Sequence, residues 1–174
     1  MREKIMSILG FGGLGMSLSF FLIVLLYPSY TAMEKLMPIY IGGLLSGCIL
    51  GIFKAKLNAS GYAFILGFSI TVMLYLVWMN FPFTMAYSFA FLAMVVLVMW
   101  IVESTSTLDI AISPFAYFGG FILASLIFRN AEMYEIEGSI MSIVLVGVTG
   151  AGVSLVMSLF KAFTETAQAF RKKI

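Results

Sequence analysis

Histidine is absent from this chain, and cysteine occurs once, at Cys48. Zinc, haem and iron–sulfur sites draw chiefly on those two residues. A metal-centred electron carrier is therefore not expected, nor is any cofactor, and a lone cysteine forbids an intramolecular disulfide. Charge is just as scarce: Asp, Glu, Lys and Arg make up 10% of the 174 residues. A soluble domain carries about 25% of such residues, because its surface must be solvated. That shortage excludes a soluble enzyme and a disordered chain, and a net charge of +2 gives no footing for nucleic acid. Catalytic signatures are missing too. There is no Gly-x-Ser-x-Gly elbow, no Gly-x-Gly-Asp intramembrane aspartyl motif and no phosphate-binding loop. The chain is not expected to be an enzyme.

What is present is apolar length. Hydrophobic residues reach 62% and mean hydropathy is +1.10. A membrane span needs roughly 20 mostly apolar residues. Six such stretches can be marked, at about 5–27, 36–53, 61–80, 84–102, 109–128 and 139–160. Phe81-Pro82-Phe83 divides the third from the fourth, since the two together are too long for one span and Pro82 stops a helix. The fold expected is an all-α, polytopic integral membrane protein of six transmembrane helices. Residues 1–162 form its single domain and 163–174 a basic tail.

Lys and Arg collect in cytoplasmic loops. With the N-terminus inside, Arg2, Lys4, Lys54, Lys56, Lys161, Arg171, Lys172 and Lys173 fall on the cytoplasmic side, and Lys35 and Arg129 fall outside. Both termini are thus expected in the cytoplasm, in a plasma (inner) membrane. The first apolar run exceeds the usual signal-peptide core and reads as a retained helix. The sequon Asn58-Ala59-Ser60 then lies on the cytoplasmic side, where it cannot be used. Phe163, Ala167 and Phe170 recur at helical spacing, so the tail either rests on the anionic inner leaflet or serves as a plain topology anchor. Tyr27, Tyr30, Tyr40, Trp78 and Tyr134 sit where an outer aromatic belt would.

Small residues let helices approach in lipid. Gly13 and Ser17, the stripe Gly43, Gly47 and Gly51, and the set Gly147, Gly150, Ala151 and Ser154 mark contact faces on the first, second and sixth spans. Those three are expected to pack together, with the glycine-poor third and fourth more lipid-facing. The alternative is glycine backbone lining a substrate path. The second span reads Pro38, Tyr40, Gly42, Gly43 and ends Ile52-Phe53-Lys54. The fifth reads Pro114, Tyr117, Gly119, Gly120 and ends Ile127-Phe128-Arg129. Opposed in direction, the two could belong to a 3+3 inverted repeat of the kind transporters use.

Ionisable residues inside a membrane are costly and tend to be functional. Glu103 and Asp109 flank Ser104–Thr107 at the proposed cytoplasmic face. Ser106 and Asp109 have capping-box spacing, which makes a helix cap one reading. The other is a proton or cation site, or a salt bridge to Lys54 or Lys56, near a fifth helix loosened by Pro114. With Gly42, Gly43, Gly119 and Gly120, these form the candidate ion or substrate path. Glu132, Glu135 and Glu137 either attract cations to an outer mouth or merely solvate a loop. The function expected is a small transporter or channel for an ion or small solute, or the membrane-embedded substrate-binding subunit of a larger system. The alternative is a structural or assembly subunit. The lipid bilayer is the expected partner, along with a homo-oligomer or other membrane subunits.

Overall fold

A computed structural model describes residues 1–26, 33–53, 57–78, 81–102, 106–128 and Leu159. Five helices follow in order: α1 Arg2–Leu26, α2 Met33–Phe53, α3 Asn58–Trp78, α4 Phe83–Val102 and α5 Thr107–Phe128. Each is apolar around most of its circumference, as a helix must be when its surroundings are lipid and other helices. Four contain stretches long and apolar enough to cross a membrane, namely Arg2–Ile23, Asn58–Val77, Phe83–Trp100 and Leu108–Ile127. α2 contributes the described apolar stretch Pro38–Phe53. The described residues thus form an all-helical bundle of membrane-protein character. The sixth expected span apart from Leu159, the basic tail and the loop holding Glu132, Glu135 and Glu137 lie outside the described residues.

Close contacts fix the helix directions. At the start of α1, Ser7 and Ile8 meet Gly51 near the end of α2, and farther along Gly15 meets Gly43. These two helices are antiparallel. Met6 of α1 meets Gly61 of α3, and Gly13 meets Phe64, so that pair is parallel. Asp109 touches Ala59, Tyr117 backs onto Gly67, and Ser125 pairs with Tyr75. The offset stays at 50 residues for both hydrogen-bonded pairs, so α3 and α5 run parallel and in register along the seam. Trp100 near the end of α4 shares a cluster with Ala59 and Tyr62 at the start of α3, while Ala86 clusters with Leu76. α4 therefore runs back along α3. Three helices, α1, α3 and α5, begin at one end of the bundle, and α2 and α4 return.

α3 is the central helix, packed against α1, α4 and α5. Of its apolar stretch 61% is buried, against 39% for α1 and 22% for α4. The expectation of a lipid-facing α4 agrees with this, and that of a lipid-facing α3 is corrected. Glycine count misled there. α3 carries Gly61 and Gly67 but also Ala59, Ser60, Ala63 and Ser69, all fully or nearly fully buried. Its bulky Tyr62, Phe64 and Leu66 fill the core rather than face lipid.

A second cluster joins Met16, Phe20 and Ile23 of α1, Tyr40 of α2, and Phe118, Ile122 and Leu126 of α5. Tyr40 lies stacked on Phe20 with ring centroids 6.3 Å apart and is 1% exposed. It belongs to the core and not to an outer aromatic belt. α2 packs along α1 alone among the described helices, and α4 does not pack along α5. A 3+3 repeat would match the α1–α2 contact with an α4–α5 contact, and the α1–α5 contact with an α2–α4 contact. Neither counterpart forms a packed pair.

Candidate functional site

The one buried acidic or basic side chain among the described residues is Asp109, 1% exposed. Its position follows from how α5 begins. Ser106 precedes the first turn, and its hydroxyl oxygen accepts from the Asp109 N–H at 3.3 Å while its carbonyl accepts from the Ile110 N–H at 3.1 Å. Ser106 is thus the N-cap of α5. In a capping box the acidic side chain would turn back toward that cap. Here it crosses to α3 instead.

The reason lies in how α3 starts. The Gly61 N–H donates to the Leu57 carbonyl at 3.1 Å, which places Leu57 at the N-cap. A leucine side chain has no oxygen with which to satisfy the first free N–H groups of a helix. Asp109 supplies both oxygens. The Ala59 N–H donates to Oδ2 at 2.7 Å, and the Ser60 N–H donates to Oδ1 at 2.9 Å. The Ser60 hydroxyl donates to the same Oδ1 at 2.6 Å and lies 3.3 Å from the Asp109 carbonyl oxygen. One carboxylate therefore caps a helix 50 residues away in sequence. Its negative charge faces the positive end of the α3 dipole, a favourable arrangement. This is the environment of an anion held at a helix N-terminus, electrostatically opposite to a cation cage.

Pro114 sits in α5 one turn beyond Asp109, and α5 continues through it to Phe128. The expected loosening of the helix start does not interrupt it. Proline lacks the N–H that would bond the Ile110 carbonyl. The Ser113 hydroxyl takes that role, donating to the Ile110 carbonyl at 2.7 Å. In a medium without water, a freed backbone carbonyl needs such a partner.

Polar side chains continue along the α3–α5 seam. Ser113 and Tyr117 follow Asp109 at four-residue steps and are buried. On α3, Thr71 donates to the Gly67 carbonyl at 2.6 Å. Near the far end, the Tyr75 hydroxyl lies 3.4 Å from Ser125 Oγ.

The remaining candidate residues are not gathered at this site. Gly42 faces outward from α2, with nothing within 4 Å of where a Cβ would stand. Gly43 lies against Gly15 and Ser19, Gly119 against the backbone of Gly13, and Gly120 against Phe64 and Phe68. Glu103 lies outside the described residues, as do Lys54 and Lys56. Gly13 contacts Phe64 and Ala116, Gly47 contacts Phe11 and Gly12, and Gly51 contacts Ser7 and Ile8. Ser17 is fully buried and donates to the Leu14 carbonyl at 3.3 Å. Gly147, Gly150, Ala151 and Ser154 fall outside the described residues. Among the described residues no three metal-ligating side chains gather.

Sequence reasoning passed over Ala59, Ser60 and Ser113. Two signals could have found them: an apolar residue at the head of a helix, which leaves the cap to be supplied from elsewhere, and the Ser-Pro dipeptide inside a span. Compared with known protein families, characterised proteins and solved structures, the chain matches none at a significant level.

Proposed function

We propose that the chain is a small polytopic membrane transporter or channel, or the membrane-embedded substrate-binding subunit of one, for an ion or small solute. The observation that carries this reading is the polar seam between α3 and α5, with Asp109 at one end and Tyr75 and Ser125 toward the other. Beyond their hydrogen bonds within the bundle, these groups line up a carboxylate and several hydroxyls between two apolar helices, and ionisable groups at such depth are costly and tend to be functional. In this reading the protein has six spans, with both termini in the cytoplasm. The end where α1, α3 and α5 begin faces the cytoplasm, since Arg2, Lys4, Lys54 and Lys56 lie in or beside the segments there. The packing of the described helices lends no support to a 3+3 repeat.

The test is flux into liposomes reconstituted with the purified protein, using protons, sodium and potassium and a set of small neutral solutes. Uptake above that of empty vesicles, altered in kind or rate by Asp109→Asn, supports the reading. Protein-containing vesicles as tight as empty ones to every probe would refute autonomous transport.

A second reading, a structural or assembly subunit, is favoured by a different observation. Gly15 against Gly43, Gly61 against Met6 and Gly119 against Gly13 approach so closely that not even a methyl group fits between them. Native mass spectrometry of the gently solubilised protein from its own membrane separates autonomous transport from a subunit role. A monomer or homo-oligomer supports an autonomous transporter; a stoichiometric foreign subunit supports a subunit role, and flux that appears only with that partner distinguishes a transport subunit from a structural one.

A further inference from the structure

We draw no further inference here: the strongest candidate, the Asp109 carboxylate seated at the N-terminus of α3, belongs to the site already described, and nothing else observed at that helix end points to a ligand.

Discussion

Replacing Asp109 by Ala removes the acceptor of three donors at once: the Ala59 N–H, the Ser60 N–H and the Ser60 hydroxyl. A hydrogen bond to an ionised group contributes about 1.5–3 kcal/mol. Three such bonds set a ceiling near 9 kcal/mol, which will not be reached, because bonds sharing one acceptor are not additive. Loss of an ordinary cap costs about 0.5–2 kcal/mol, and each buried donor left without an acceptor costs about 1–3 kcal/mol. Asp109 is as buried as the second case requires, so with its three donors stranded Asp109→Ala should destabilise by about 3–5 kcal/mol. Asp109→Asn keeps the shape and one carbonyl oxygen. Placed at Oδ1, that oxygen still serves both Ser60 donors, while the amide nitrogen meets the Ala59 N–H donor to donor. About 1.5–3 kcal/mol should be lost. Ser60→Ala deletes the hydroxyl alone and should cost about 0.5–1.5 kcal/mol. The order can be read by titrating dodecyl sulfate into mild-detergent micelles and following helical circular dichroism. The double variant Asp109→Ala with Ser60→Ala should be less damaging than the two single effects added. An Asp109→Ala protein as stable as the wild type, or strict additivity in the double variant, would refute the clasp and return Asp109 to a local role in α5.

Other expectations follow from neighbouring contacts. Gly43→Ala should destabilise by about 1–3 kcal/mol, since its new methyl meets Ser19 and the Gly15 carbonyl. Gly42→Ala, one residue away and facing open space, should be neutral or stabilising by up to about 1 kcal/mol; equal effects in the same titration would overturn the assigned faces of α2. Ser113→Ala should cost about 1 kcal/mol alone and almost nothing beside Pro114→Ala, which restores an N–H to the Ile110 carbonyl; a cost independent of Pro114 would show that the hydroxyl does something else. A Cβ at position 12 would lie 2.8 Å from the Cys48 sulfur, so Gly12→Cys should oxidise to an α1–α2 disulfide that resists alkylation. In a Cys48→Ala background, cysteine at Glu3 should be shielded from an impermeant external thiol reagent and cysteine at Phe81 should react. The reverse pattern would invert the proposed orientation.

The helices themselves were legible because each is bounded by a local signal. Pro82 separates α3 from α4, Lys54 and Lys56 follow α2, and the Ser106 cap precedes α5. Such signals act over one or two turns and survive any tertiary arrangement. The partner of Asp109 was not legible, because nothing near Asp109 says that α3 begins with an uncapped leucine, and the pairing depends on which two helices lie side by side. The reach of Pro114 was overestimated for a related reason. A proline is tolerated inside a membrane helix where its freed carbonyl finds another donor, and Ser113 is that donor here. Burial of α3 is not legible from its low glycine count, because its alanines and serines permit close approach nearly as well.

The clasp also sets a timetable for biosynthesis. The first N–H groups of α3 receive their acceptor from a residue made 49 positions after Ser60. At about 5–20 residues per second, a ribosome needs roughly 2–10 s to add that length. Until then the head of α3 has no protein acceptor from α5 and must borrow hydrogen bonds from water or lipid headgroups. α3 can therefore be threaded into the bilayer early but seated only late, when α5 arrives beside it. An interruption of translation between these two helices would leave a nascent chain whose most buried segment is still waiting at the interface.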